Sequence, residues 1–142
     1  MSIGILMASH GEFAKAALAS AEMIAGKQEN VFALALTVDK TLEDLEREVE
    51  TAYTELKKNC DIVVALCDIY GGSPFNAISR CKLKGMEMKA FTGLNLPIVI
   101  DLLLSRELGE DEISEHIFSV NAQSVQPIEV TLAEDDDNLE DL

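Results

Sequence analysis

The fold is decided by Ile3-Gly4-Ile5-Leu6-Met7-Ala8-Ser9-His10-Gly11, close to the start of the chain. The run up to Ala8 is continuously apolar, which is typical of a strand in a parallel sheet that is covered on both faces. A helical pattern follows from about residue 12 to residue 25 and stops at Gly26. His10 therefore lies in a strand-to-helix turn, where backbone N–H groups converge and a helix dipole favours anions.

The same alternation of short apolar runs and amphipathic segments continues along the chain. On the first helix, Phe13, Ala17 and Ile24 are predicted to face the core. Thr41 is predicted to cap the second helix, and Ser73 to cap a short third helix that Pro74 begins. Further strands are predicted at residues 31–36, 62–67, 87–91 and 125–130, and further helices after residue 97 and at residues 111–122.

This order predicts an α/β fold, with an open, mostly parallel sheet in the strand order 2-1-3-4 and helices on both faces. Pro127 makes the last predicted strand an edge strand. In this order strands 1 and 3 are neighbours, and their carboxyl ends flank the point where ligand sites of open α/β sheets form. His10 follows strand 1 and Asp68 follows strand 3, so we expect their side chains to lie side by side.

This pair has the chemistry of a histidine that handles phosphate. A carboxylate at one ring nitrogen selects the tautomer, orients the ring and stabilises the positive charge that develops when the other nitrogen attacks phosphorus. We therefore predict His10 as the nucleophile and Asp68 as the group that orients it. The predicted phosphate ligands are backbone N–H groups near the turns and one hydroxyl, namely Gly11, Gly71, Gly72 and Ser73.

Length and composition predict one domain in residues 1–130. The 142 residues carry a net charge of −15, to which the acidic segment 131–142 contributes six acids and no base. Without that segment, 20 acidic residues face 11 basic ones, a net charge of about −9. This balance disfavours nucleic acid and anionic membranes as partners, and the acidic segment is predicted to be a disordered tail.

Other classes of protein are disfavoured by what the sequence lacks. No apolar run reaches the roughly 18 residues of a membrane span, and no secretory signal is recognisable, so we expect a cytoplasmic protein. Cys60, Cys67 and Cys81 have no C-x-x-C spacing and are predicted to be buried, reduced thiols. No metal and no cofactor are expected.

Three ordered motifs resemble one family. Ser9-His10-Gly11 after an N-terminal apolar strand, Asp68 with the run Gly71-Gly72-Ser73-Pro74-Phe75-Asn76, and Thr92-Gly93-Leu94-Asn95-Leu96-Pro97 occur in the order and spacing of the IIA components of mannose-family sugar phosphotransferase systems. The resemblance covers residues 1 to about 130, and the acidic segment lies outside it.

The resemblance implies a phosphotransferase that carries a phosphoryl group between proteins. Such IIA components accept phosphate from the histidine-containing phosphocarrier protein and pass it to a IIB component, which serves the membrane components IIC and IID during sugar uptake. It further implies phosphate on Nε2 of His10, Asp68 at Nδ1–H and the Ser73 hydroxyl beside the phosphate. It also implies an antiparallel edge strand, here residues 125–130, that is exchanged in a homodimer.

Three alternatives compete with this interpretation. A phosphotransfer subunit of a dihydroxyacetone kinase shares the fold and the phosphohistidine. A histidine phosphatase needs an arginine before its histidine and further arginines around the phosphate, whereas Ser9 precedes His10 and the chain has only Arg47, Arg80 and Arg106. A flavin-binding module needs a hydroxyl-rich loop and aromatic residues for stacking, and the chain has no Trp.

Overall fold

Four parallel strands form one sheet in the order β2-β1-β3-β4 in the computed structural model, which describes residues 2–132. The predicted α/β class and strand order are confirmed. A short 3-10 helix (Glu110–Glu112) precedes the last α-helix. The elements are β1 (Ile3–His10), α1 (Phe13–Ala25), β2 (Val31–Leu36), α2 (Leu42–Asn59), β3 (Ile62–Cys67), α3 (Gly72–Leu83), β4 (Lys89–Phe91), α4 (Leu96–Leu103) and α5 (Ile113–Ala122).

The central strand β1 is buried on both faces from Ile3 to Ser9. Alternate side chains enter two separate cores, since Ile5 and Met7 pack with α1, α4 and α5, while Leu6 and Ala8 pack with α2 and α3. This two-sided burial explains why the strand is continuously apolar and not alternating. It also leaves the carboxyl edge of the sheet as the place where polar groups of β1 and β3 are accessible.

The buried face of α1 differs from the predicted one. Ala14 and Ala21 are buried and Leu18 packs beside them, whereas Phe13 and Ile24 are exposed. The helix is apolar around most of its circumference, so periodicity alone does not select the inward face. Small alanine side chains face the sheet because they let the helix lie close to β1, β2 and α4.

Capping was predicted correctly for α2 and wrongly for α3. The Thr41 hydroxyl accepts from the Asp44 N–H and the Asp44 carboxylate accepts from the Thr41 N–H, which is a capping box. Helix α3 instead begins at Gly72 with Gly71 as its N-cap, so Ser73 lies inside the first turn. The two glycines have φ values of 77° and 85°, a left-handed turn that starts the helix earlier than Pro74 suggests.

The predicted strand at residues 125–130 is not formed in the single chain, since those residues have no regular secondary structure and the sheet of residues 2–132 ends at β4. Its apolar side chains are open to solvent, with Val125 91% and Ile128 92% exposed. An edge strand needs a neighbour to accept its hydrogen bonds, and exchange would supply that neighbour only from a second chain. Most of the predicted acidic tail, from residue 133 onward, lies outside the described residues.

The three cysteines are buried thiols without a disulfide, as predicted. Burial raises the pKa of both Cys67 and Cys81 to about 11, which keeps them protonated and unreactive at neutral pH. Within residues 2–132, no helix has both the length and the apolar character that a membrane span requires.

Candidate active site

The tertiary structure brings His10 and Asp68 into direct contact, although they are 58 residues apart in sequence. The Asp68 Oδ2 atom lies 2.8 Å from Nδ1 of the imidazole, and the same oxygen accepts the backbone N–H of His10 at 2.9 Å. Two bonds to one oxygen hold both the ring and the main chain of His10. The juxtaposition expected from the strand order is therefore present.

Both loops that carry this pair are tied to the sheet by backbone hydrogen bonds. His10 is the last residue of β1 and pairs with Leu36 of β2, whose carbonyl oxygen accepts the Gly11 N–H at 2.8 Å. The Asp68 carbonyl oxygen accepts the Gly93 N–H at 3.2 Å. The Thr92–Pro97 motif thus supports the loop of Asp68 and gives this part of the sequence a local role.

The electrostatics of the pair keep Asp68 ionised. Burial would raise the pKa of its carboxyl group, but the hydrogen bonds from the main chain and ring of His10 and from the Ile69 N–H outweigh it. The net effect is a pKa below the ordinary value. Because an ionised carboxylate only accepts hydrogen bonds, the neutral His10 ring carries its proton on Nδ1.

Nε2 of His10 consequently has a free lone pair, on a side chain that is half exposed. The His10 side chain is 48% exposed, whereas the Asp68 side chain behind it is 13% exposed. The reactive nitrogen is therefore accessible to another molecule while its orienting partner is shielded. This arrangement suits a nucleophile that reacts with a large partner at the protein surface.

Gly72 lies directly against the accessible edge of the imidazole. A Cβ atom at this position would be 3.2 Å from Cε1 and 3.5 Å from Nε2 of His10. The N-terminus of the 12-residue helix α3 therefore meets the reactive nitrogen, and its dipole and free N–H groups favour an anion there. Sequence reasoning assigned a phosphate-binding role to Gly72 but missed its contact with the ring.

Replacing Gly72 with alanine should slow the predicted phosphorylation of His10, because the new side chain would press on the imidazole ring. The new Cβ would push the ring by a few tenths of an ångström, so we expect a loss in rate of about 10-fold, less than the roughly 100-fold that a 1 Å misplacement can cost. The left-handed backbone adds a stability cost of about 1–2 kcal/mol. Phosphorylation rates and thermal unfolding of the two proteins measure these effects separately.

Gly85→Ala is the matched control for Gly72→Ala. Gly85 has a φ of 101°, and a Cβ atom there would meet nothing within 4 Å. The control should share the loss of stability and keep the normal rate. Equal rates in the two variants would show that the contact with His10 has no role.

The other predicted phosphate ligands are Gly11, Gly71 and Ser73, and they differ in their position relative to His10. The N–H of Gly11 is already bonded to Leu36, so Gly11 is the least favourable donor for a phosphate. Gly71 and Ser73 flank Gly72 at the start of α3, and of the three it is Gly72 that closely approaches the His10 ring. The first residue of α3, Gly72, is thus close to Nε2 of His10, which the strand-to-helix turn before α1 did not suggest.

Ser9 is a structural element of the site that sequence reasoning did not identify. Its fully buried hydroxyl accepts the N–H of Ala14 at 2.7 Å and contacts the carbonyl oxygen of Gly11 at 3.4 Å. The hydroxyl thereby closes the turn between β1 and α1 around His10. A small hydroxyl residue at the end of the strand before a helix is the signal that suggests such a role.

Asn95 is a second residue of this kind. Its side-chain oxygen accepts the N–H of Ile98 and so caps α4. Its amide nitrogen donates to the carbonyl oxygen of Gly93 and to the side chain of Asn121. Asn95 thus links the loop beside Asp68 to α4 and α5.

Together, the fold and this site define a class of protein: an open α/β domain with a half-exposed histidine, backed by a carboxylate, at the carboxyl edge of its sheet. The chain belongs to the EIIA-man family, since the family model described as "PTS system fructose IIA component" matches residues 4–121. It is a mannose-family IIA component of the phosphotransferase system, as its motifs suggest.

Curated relatives and solved structures agree with this family assignment. The mannose-specific EIIAB component of Escherichia coli (strain K12) is 32% identical over 107 residues, which are 75% of this chain and 33% of that protein. The chain thus spans about a third of the length of this relative. The fructose-specific EIIA component of Bacillus subtilis (strain 168) is 27% identical over 125 residues, 87% of this chain and 85% of the relative.

Among solved structures, the PTS IIA protein associated with the fucose utilization operon from Streptococcus pneumoniae is similar in fold and sequence. It has a TM-score of 0.75 and 31% sequence identity, and the match covers 84% of this chain and 90% of that one.

Proposed function

We propose that this chain accepts a phosphoryl group on Nε2 of His10 from the histidine-containing phosphocarrier protein and passes it to a IIB component. Relatives in sugar-specific phosphotransferase systems support a phosphoryl-carrier role in sugar uptake. The observation that carries the finer proposal is the contact between Asp68 and Nδ1, which leaves Nε2 unprotonated beside the N-terminus of α3. The chain would act in the cytoplasm and serve the membrane components IIC and IID through IIB.

In the proposed transfer, the lone pair of Nε2 attacks the phosphorus atom of the donor's phosphohistidine. The bond from phosphorus to the donor nitrogen breaks, and its electron pair returns to the donor ring. The proton on Nδ1 of His10 stays in place, and Asp68 stabilises the positive charge of the phosphorylated ring. N–H groups of Gly72 and Ser73 and the Ser73 hydroxyl bind the phosphoryl oxygens. Transfer to IIB repeats these steps in reverse.

The arginines of the chain are engaged in other contacts, which disfavours the phosphatase alternative. Arg47 pairs with Asp44, Arg80 pairs with Glu46, and Arg106 donates to the carbonyl oxygen of Ile3. A carrier does not need the arginines that a phosphatase places around its phosphate, because its phosphoryl group must persist until an acceptor arrives.

The relay can be reconstituted with labelled phosphoenolpyruvate, enzyme I, the phosphocarrier protein and a candidate IIB component. We expect label to reach this chain only when the phosphocarrier protein is present, and to leave it when IIB is added. Label that reaches IIB equally well without this chain would contradict the carrier role. Transfer to the subunits of a dihydroxyacetone kinase instead would favour that alternative.

We also propose that the chain forms a homodimer by exchanging residues 125–130. The support is the exposed apolar segment itself and the outer edge of β4, whose last residue, the half-buried Phe91, packs its ring edge-on against the exposed Phe118. An apolar strand that covers this edge would bury both features.

A chain truncated after Ser124 should therefore be monomeric by light scattering at concentrations where the full chain is dimeric. Removal of residues 133–142 alone is the control and should leave the dimer intact. A dimer that survives the longer truncation would exclude exchange of this segment.

A further inference from the structure

The main chain of Asp68 lies just beyond the end of β3, and the loop that follows β4 supports it. Strand β3 ends at the preceding residue, Cys67. The carbonyl oxygen of Asp68 accepts the N–H of Gly93 at 3.2 Å. The carbonyl oxygen of Cys67 accepts the N–H of Leu94 at 3.0 Å. The position of Asp68 behind His10 therefore depends on a loop that the proposed chemistry does not use.

Gly93 is held in this loop by hydrogen bonds and not by side-chain packing. Its φ is 79°, and a Cβ atom built on it would meet nothing within 4 Å. Its N–H donates to Asp68, and its carbonyl oxygen accepts a hydrogen bond from Nδ2 of Asn95 at 3.0 Å. The next residue, Leu94, is anchored in the core. Both polar groups of Gly93 are thus engaged, one by Asp68 and the other by Asn95.

The contacts of the half-buried Asn95 side chain allow only one orientation of its amide. The amide oxygen accepts the N–H of Ile98 at 3.0 Å, which caps α4. The amide nitrogen donates to Gly93 and also, at 3.2 Å, to the side-chain oxygen of Asn121 on α5. A reversed amide would turn its NH₂ group toward an N–H and its oxygen toward two other oxygens. Since buried Ile117 anchors α5 in the core, the amide is held from two helices.

Resting on the proposed function, we propose that Asn95 is a positioning residue for phosphoryl transfer and acts on His10 through Gly93 and Asp68. The amide holds the carbonyl group of Gly93, and the N–H of Gly93 holds the main chain of Asp68. Oδ2 of Asp68 in turn bonds to Nδ1 and to the backbone N–H of His10, at 2.8 Å and 2.9 Å.

A shift of this loop reaches the reactive nitrogen through the tautomer of the ring. Both bonds from Oδ2 of Asp68 to His10 lengthen when the loop moves away, and hydrogen bonds weaken steeply with poorer geometry. The proton of the neutral ring is then no longer confined to Nδ1. Rings that carry the proton on Nε2 have no lone pair there, so a smaller share of the protein is able to attack phosphorus.

Two substitutions of Asn95 remove the amide nitrogen and keep an oxygen that caps α4. Asn95→Asp and Asn95→Ser should therefore change thermal stability little. Each should lower kcat for transfer from the phosphorylated phosphocarrier protein by about 10-fold and leave KM nearly unchanged. NMR spectra of the ring nitrogens in the unphosphorylated protein should show a larger share of His10 with its proton on Nε2. A residue that only stabilises the fold would not change this share.

Asn59→Asp is the matched control. Asn59 is the last residue of α2, shortly before β3, and so lies toward the opposite edge of the sheet from His10. Its Nδ2 also donates to an asparagine oxygen, that of Asn30, at 3.4 Å. The control adds the same charge as Asn95→Asp and should leave both kcat and the His10 spectrum unchanged.

Several results would overturn the proposal. One is an unchanged kcat in both Asn95 variants, and another is a lower kcat with an unchanged His10 spectrum. A loss in Asn95→Asp but not in Asn95→Ser, or an equal loss in Asn59→Asp, would assign the effect to the added charge. A wild-type chain that takes no label from the phosphocarrier protein would contradict the proposed function instead. The spectrum of the unphosphorylated ring would still decide whether Asn95 positions Asp68, because it does not depend on the relay.

Discussion

Phosphorylation should be lost when His10 is replaced by glutamine, with a fall of more than about 1,000-fold in the rate of labelling. Glutamine keeps a polar side chain near Asp68 but has no nucleophilic nitrogen. Since the His10 side chain is 48% exposed, the substitution should change thermal stability little. Intact-protein mass spectrometry with the phosphocarrier protein as donor measures the effect, and the label on the wild type should be acid-labile and base-stable.

His116→Gln is the control for this experiment. His116, on α5, also bonds to a carboxylate, but through Nε2, which contacts Asp101. In His116, therefore, the carboxylate of Asp101 occupies Nε2, which is the ring nitrogen that Asp68 leaves free in His10. Label that persists in His10→Gln, or disappears only in His116→Gln, would place the phosphorylation site elsewhere.

The second large effect is expected for Asp68→Asn. An amide is uncharged and so stabilises the positive ring less than a carboxylate does. Where its NH₂ group faces Nδ1, the hydrogen bond from the His10 N–H is also lost, the proton moves to Nε2 and the nucleophilic lone pair disappears. Transfer should slow by about 10²–10⁴-fold, in line with loss of the orienting carboxylate in a catalytic triad. Single-turnover phosphorylation rates measure this, and the protein should remain folded because the shape of the side chain is kept.

Asp61→Asn is a suitable control, because Asp61 precedes β3 as Asp68 follows it. The control should retain the normal transfer rate. Equal rates in the two variants would contradict an orienting role for Asp68.

Asp68→Asn should also change how the stability of the protein depends on pH. The folded-state pKa of Asp68 is below its ordinary value of 3.8, so the ionised carboxylate stabilises the folded state. That contribution is complete above the unfolded pKa and is lost as the pH falls through the folded value. The difference in unfolding free energy between wild type and Asp68→Asn should therefore be present at pH 7 and shrink below about pH 4. A difference that stays constant over this range would assign the effect to packing.

Much of the fold was predictable because its signals are local. β2 and β3 have the predicted bounds, since short apolar runs between turn residues define them. Thr41 was recognised as a cap because capping depends on residues three positions apart. The order of these elements then placed His10 next to Asp68 through the general topology of such sheets.

The failed predictions concern features that local patterns do not determine. The inward face of α1 depends on how closely the helix approaches the sheet, which favours Ala14 and Ala21 over Phe13 and Ile24. The start of α3 depends on the left-handed turn at Gly71 and Gly72 and not on the preference of Ser73 for the N-cap. The exchanged edge strand at residues 125–130 stays a prediction, because it depends on a neighbour that one chain does not provide.

By itself, therefore, the sequence determined the alternation of strands and helices, the residue types in each turn and the meeting of His10 with Asp68. Only the tertiary structure decided that Oδ2 contacts Nδ1 and that Gly72 lies against the edge of the ring formed by Cε1 and Nε2. Secondary structure follows from interactions within a few residues of the chain. The direction of a side chain and the exposure of its neighbours follow from contacts between segments that are distant in sequence, which exist only once the sheet and its helices have packed.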